Sequence, residues 1–116
     1  MEFKIHTIKG KEITEIFSKY VLIKSTQDIL DLMVNVPSNI IVLNKNLVSE
    51  TFFDLKTGLA GEILQKLTNY SIKLGLVGDY SKYTSKSLKD FIYECNKGNH
   101  FVFVDTVNEA MKKLSK

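Results

Sequence analysis

Ile40-Ile41-Val42-Leu43 decides the architecture. Four consecutive apolar residues, with no polar residue alternating among them, describe a strand covered on both faces, as in the interior of a parallel sheet. Asn44-Lys45-Asn46 follows as a loop. Upstream, Pro37 and Ser38 stop a helix that opens at Ser25-Thr26-Gln27-Asp28, a capping-box sequence, and carries Ile29, Leu30, Met33 and Val36 at helical spacing. Earlier still, Glu2 to Ile8 alternates Phe3 and Ile5 with Lys4 and His6, and Lys9-Gly10-Lys11 turns the chain into a second strand, Glu12 to Phe17.

Downstream, Leu47 to Leu55 reads as a short extended or irregular segment containing Phe52-Phe53-Asp54. A helix from about Gly58 to Asn69 then sets Ala60, Ile63, Leu64 and Leu67 on one face. Gly58 and Gly61 lower helix propensity in its first turns, which points to a close approach of another group to the backbone or to tight packing on the sheet. Ile72 to Val77 is a further apolar strand ending at Gly78-Asp79. The next helix turns Leu88, Phe91, Ile92 and Cys95 inward, with Ser87 as its cap and Asp90 as the reciprocal partner. Lys97-Gly98-Asn99 ends it, Phe101 to Val104 is the last strand, and Thr106-Val107-Asn108-Glu109 caps a terminal helix whose Val107, Ala110, Met111 and Leu114 face inward. Strands alternating with helices imply right-handed crossovers. The expectation is a single α/β domain over residues 1–116, β-β-α-β-α-β-α-β-α, with a mixed, mostly parallel sheet of about five strands, an N-terminal hairpin and about four helices.

Composition narrows the function classes. A chain of 116 residues with 44% hydrophobic and 25% charged residues has the make-up of an ordinary packed domain. Its single cysteine, Cys95, allows neither an intrachain disulfide nor a thiolate metal cluster, and sits most simply in the core. No stretch reads as a signal peptide, and no apolar run approaches the ~20 residues of a membrane helix. A soluble, cytoplasmic protein is expected, with no membrane partner. All sixteen basic residues are lysines, spread without a cluster around a formal charge of +3. With no guanidinium fork for guanine edges or phosphates, the chain is not expected to bind nucleic acid.

Ligands of such sheets gather where strands end at their carboxyl edge. Asn44, Asp54, Thr57, Gly58, Asp79, Ser81, Lys82 and Asp105 lie in or near those loops. Thr57 stands at the mouth of a helix whose free amides favour negative charge. It is either a helix cap, worth about 1 kcal/mol, or the acceptor of a phosphate that those amides would receive. In the loop Gly78 to Ser87, Tyr80 and Tyr83, together with Tyr70, could present an amphipathic patch to another protein. Asp54, Asp79 and Asp105 could meet around magnesium, although loop-capping aspartates are far commoner. His6 and His100 lack partners at metal-ligand spacing, and no P-loop, Gly-x-Gly-x-x-Gly or Gly-x-Ser-x-Gly is present. No catalytic residue, metal or cofactor is assigned.

The element order, Phe52-Phe53-Asp54 leading to Thr57-Gly58-Leu59, the strand ending in Gly78-Asp79, and the closing Phe103-Val104-Asp105-Thr106-Val107-Asn108-Glu109-Ala110 together resemble the STAS fold of sulphate transporters and anti-sigma factor antagonists. The resemblance covers most of the chain. In those antagonists an Asp-Ser-Ser/Thr-Gly-Leu motif opens the second helix, and a partner kinase phosphorylates the hydroxyl residue before the glycine. Thr57 matches that acceptor and Gly58-Leu59 match the motif's closing Gly-Leu, while Leu55-Lys56 stands between Asp54 and Thr57 where the motif has one residue, a hydroxyl. Phe52 to Leu64 and Gly78 to Glu94 also resemble the bacterial family catalogued as domain of unknown function 4180, which implies a bacterial cytoplasmic protein and no particular activity.

Three functions compete. The first is a non-catalytic regulatory or protein-interaction domain of STAS-like fold, with Thr57 as phosphoacceptor and Asp54, Gly58, Asp79, Tyr80, Ser81, Lys82 and Tyr83 at its binding surface. Its partner would be a kinase or an anti-sigma-like regulator. The second is a small enzyme or anion-binding protein using Asp54, Thr57, Asp79 and Lys82, which requires a pocket on which they converge. The third is self-association as a homodimer through the edge strand of the opening hairpin, Phe3 to Phe17.

Overall fold

Lys9 and Gly10 both take positive φ, 52° and 78°, the left-handed geometry of a two-residue type I′ turn, and this turn starts the fold as a twisted hairpin. The computed structural model describes residues 1–116. The chain runs through β1 (Glu2–Ile8), β2 (Lys11–Phe17), α1 (Thr26–Asn35) and β3 (Ile40–Asn44), then three short 3-10 turns between Lys45 and Thr57. It continues through α2 (Leu59–Asn69), β4 (Lys73–Val77), α3 (Lys86–Lys97), β5 (Phe101–Val104) and α4 (Val107–Leu114). The expected order of strands and helices holds throughout. The sheet has five strands in chain order, β1-β2-β3-β4-β5. β1 is antiparallel to β2, and the remaining neighbours are parallel.

Each parallel crossover steps the same way with the same hand, so α1, α2 and α3 share one face of the sheet and α4 closes the other. Alternation along the strands divides the core accordingly. Ile16, Ile41, Leu43, Leu74, Leu76, Phe101 and Phe103 pack beneath α1 to α3, against Ile29, Leu32, Ala60, Ile63, Leu67 and Leu88. Ile13, Ile40, Val42, Val77, Val102 and Val104 pack beneath Ala110, Met111 and Leu114 of α4. All of Ile40 to Leu43 is buried, two residues to each side, as expected of a strand covered on both faces.

Several local expectations change. Gly58 is required by its positive φ of 78°, and a Cβ at Gly58 or Gly61 would meet nothing within 4 Å, so neither permits a close approach. The close approach belongs to Gly75. A Cβ there would stand 3.0 Å from Ala110 Cβ and 3.1 Å from Leu114 Cδ1, and its absence lets α4 sit down on β4. Ser85, not Ser87, caps α3 by accepting from the Leu88 amide at 3.2 Å, while Asp90 pairs with Lys86 at 2.8 Å. Of the inward stripe assigned to α3 only Leu88 is fully buried, with Phe91, Ile92 and Cys95 partly covered. At α1 the Asp28 carboxylate does return to the helix start, but it accepts from Lys24 N, one residue before the Ser25 cap.

The last strand is finished by a side chain. Asn96, near the end of α3, donates from Nδ2 to the Phe103 carbonyl at 2.9 Å and accepts the Phe103 amide on Oδ1 at 2.8 Å. Its carboxamide stands where a sixth strand would.

Candidate functional site at the carboxyl edge of the sheet

The residues between Lys45 and Thr57 fold as three consecutive 3-10 turns because each finds a cap of its own. Asn44 Oδ1 accepts from Asn46 N at 2.8 Å, Ser49 Oγ from Thr51 N at 3.3 Å, and Asp54 Oδ1 from Lys56 N at 3.2 Å. The chain before α1 is stitched to them, with Leu22 and Ile23 amides on the Leu47 carbonyl and the Ser49 amide on that of Ile23. Phe52 and Phe53 drop from these turns into the core. Phe52 packs near Phe101 and Phe103, and Phe53 stacks on Tyr83 at 4.9 Å between ring centroids.

This aromatic anchor fixes the loop after β4. Tyr80 lies with its ring edge-on to Phe103 at 5.7 Å and donates its hydroxyl to the Leu76 carbonyl at 2.7 Å; burial raises its pKa well above the ordinary phenol range. Tyr83 donates to both oxygens of Glu50, at 3.1 and 3.0 Å, and Lys82 Nζ reaches Glu50 Oε1 at 2.9 Å. The Lys82 hydrogen bond leads the causes that hold the Glu50 carboxyl below its usual range, and the same bond raises Lys82. Two ammonium groups approach the Tyr83 ring, Lys82 at 5.1 Å and Lys45 at 5.4 Å from its centroid. The Lys45 stem runs across Gly78, where a Cβ would come within 2.8 Å of its Cγ and Cδ.

The sequence-derived residues therefore separate into groups. Lys82 and Tyr83 belong to one polar cluster whose centre is Glu50, a residue without a sequence signal because it lies in an irregular segment with no periodicity. Tyr80 is a core tyrosine, Tyr83 is turned against Phe53, and Tyr70 is exposed at the end of α2, so the three do not form the exposed aromatic patch expected of them. Asp79 closes its own turn, accepting from Ser81 N at 2.9 Å, and its bonds to Ser81 lower its pKa. Thr57 is exposed, but its hydroxyl turns back to the Asp54 and Thr51 carbonyls at 2.8 and 2.9 Å and receives the Leu59 amide at 3.3 Å. The cap residue of α2 is Gly58, which offers no side chain, so Thr57 is not the conventional cap anticipated for it.

Asp54 and Asp79 bond within their own turns, Thr57 to the Asp54 and Thr51 carbonyls, and Lys82 to Glu50, so no two of these four side chains bond to one another. Clefts of about 510 and 550 Å³ open at the opposite edge, sharing Asn39 and Lys73 ahead of β3 and at the start of β4. No three histidine, cysteine, aspartate or glutamate side chains gather closely enough to hold a metal ion, so Asp54, Asp79 and Asp105 do not assemble a magnesium site. Cys95 is half-buried, and burial pushes its thiol up to about 11, away from the reactive thiolate. No helix is long and apolar enough to cross a membrane.

The model of the family described as "Domain of unknown function (DUF4180)" matches residues 8–114, which run from the end of β1 through α4. The chain belongs to this family. No curated protein and no solved structure matches it. In this DUF4180 domain, the matched segment includes the whole Glu50-Lys82-Tyr83 cluster and the Thr57 turn.

Proposed function

We propose that this DUF4180 domain is a non-catalytic regulatory or protein-interaction module of STAS-like fold, bacterial and cytoplasmic, switched by phosphorylation at Thr57. The observation that carries the reading is the state of Thr57: an exposed residue whose hydroxyl, bonded to the Thr51 and Asp54 carbonyls, stands beside a helix start whose cap residue, Gly58, has no side chain. The amides of Ala60 and Gly61 belong to the first turn, where a helix has no internal partner for them. A kinase would transfer the γ-phosphoryl group of ATP to Oγ1, breaking its bond to ADP, which leaves, while the hydroxyl proton passes to a base on the kinase. The resulting charge of about −1.5 to −2 is placed before those amides.

The same step removes the donor now held by the Thr51 and Asp54 carbonyls and sets a dianion beside them. The 3-10 turns that carry Glu50 and Phe53 then lose one of their ties, and the Glu50-Lys82-Tyr83 surface is altered for a kinase or an anti-sigma-like regulator bound to it. That Asp54, Thr57, Asp79 and Lys82 already hold protein partners supports a contact surface over a catalytic pocket. A second reading, an anion held at this edge, is favoured by one observation only: Lys45 and Lys82 bring two ammonium groups to the same aromatic ring.

Intact mass and peptide mapping of the protein purified from its native host test the switch. One phosphate on Thr57, absent from the Thr57→Ala variant, is the expected result. An unmodified Thr57 under every growth condition would overturn it, and saturable calorimetric binding of inorganic phosphate, abolished by Lys45→Ala, would favour the second reading.

A further inference from the structure

β1 is an edge strand, paired on one side only. In a two-residue hairpin the pair flanking the turn, here Ile8 and Lys11, exchanges backbone hydrogen bonds, and bonded and non-bonded pairs alternate from there. The backbone groups of Ile8, His6, Lys4 and Glu2 therefore face β2, and those of Phe3, Ile5 and Thr7 face outward. At β5 the corresponding outward groups of Phe103 are both taken by Asn96. β1 has no such side chain. Its seven residues include no proline, and their register with β2 runs without a bulge, so two of the usual defences of an edge are missing. Phe3 and Ile5 lie on the same face as Ile16, the one that α1 to α3 cover, yet at this outermost strand they stay 39% and 50% exposed.

We propose that β1 pairs antiparallel with β1 of a second copy of the chain, about a two-fold axis at Phe3. The strand is complementary to itself in that register. Phe3 faces the partner's Phe3 as a bonded pair, Ile5 faces the partner's Met1, and Glu2 faces the partner's Lys4 on both sides of the axis. Neighbouring registers lose this match: an axis at Lys4 sets two lysines opposite each other, and an axis at Ile5 sets Glu2 opposite the partner's Ile8, so Glu2 no longer meets Lys4. Opposite charges directly across a ladder favour a register and like charges disfavour it, so Glu2 and Lys4 select the pairing while the backbone and the apolar side chains supply the contact. The product is one sheet continuous through both copies, closed by its symmetry so that the remaining edges are the two β5 strands.

Sedimentation equilibrium of the full chain at low ionic strength tests this. A concentration-dependent dimer is expected. Ile5→Pro, which removes an outward donor that β2 does not use, makes the chain monomeric with an unchanged circular dichroism spectrum. Glu2→Lys or Lys4→Glu alone weakens the dimer about tenfold, and an equal mixture of these two variants restores it, because each now meets the opposite charge. Hydrogen exchange slows at the Phe3 and Ile5 amides on dimerisation and stays constant at Lys4, His6 and Ile8. A chain that is monomeric at all concentrations overturns the proposal, including the case in which the edge accepts only a strand from another protein. So does a dimer indifferent to Ile5→Pro and to both charge variants.

Discussion

The sheet ends in two strands that solve the same problem oppositely. β5 has four residues, all buried, with α3 and α4 packed against it and the Asn96 carboxamide bonded to its outer backbone. β1 has seven, none fully buried, with its outer backbone bare. An edge is thus closed here by what stands beside it and above it, not by the residues of the strand itself: Phe101-Val102-Phe103-Val104 is by composition the more adhesive of the two, yet it is the protected one.

Unplugging β5 should have the largest effect. Asn96→Leu keeps the volume and removes both bonds, leaving an amide and a carbonyl unpaired at Phe103, which is 3% exposed. A loss of about 3 kcal/mol is expected from the urea midpoint, with the slope unchanged. Next comes the roof over this end. Gly75→Ala drives a methyl group against Ala110 and Leu114, so α4 must rise by a few tenths of an ångström, and about 1 to 2 kcal/mol should be lost in the same assay. The smallest change belongs to the open edge. Ile5→Pro takes an amide that makes no bond within the chain and should alter monomer stability by less than about 1 kcal/mol, because edge strands tolerate proline where the amide faces solvent. If Ile5→Pro cost as much as Asn96→Leu, the two edges would not differ in the way described.

The architecture was legible because its signals are local. Apolar runs marked β3, β4 and β5, the Lys9-Gly10 turn marked the hairpin, and Ser25 and Thr106 marked two helix starts, with the Thr106 hydroxyl accepting from Glu109 N as its spacing implied. Ser85 was missed because Ser87 with Asp90 imitates a capping box more closely than Ser85 with Leu88 does, and in the fold Asp90 answers Lys86 instead. The candidate site was legible only in part, since its bonds are long-range. Nothing near Glu50 announces that it will meet Lys82 and Tyr83 from 32 and 33 residues away, and a tyrosine-rich loop gives no sign of which rings turn inward. Asn96 is the clearest case. An asparagine in the last turn of a helix has no propensity signature for finishing a sheet, and its role exists only once β5 has arrived.

Strand order that equals chain order has a consequence for how the molecule is made. No strand has to be inserted between two others already in place, so each new βα unit can dock on the one before it as it leaves the ribosome, through contacts of short sequence separation that favour rapid folding. The hairpin with the unguarded edge is synthesised first. The growing side of the sheet is a fresh edge at every step until Asn96, already waiting on α3, receives β5 and ends the growth.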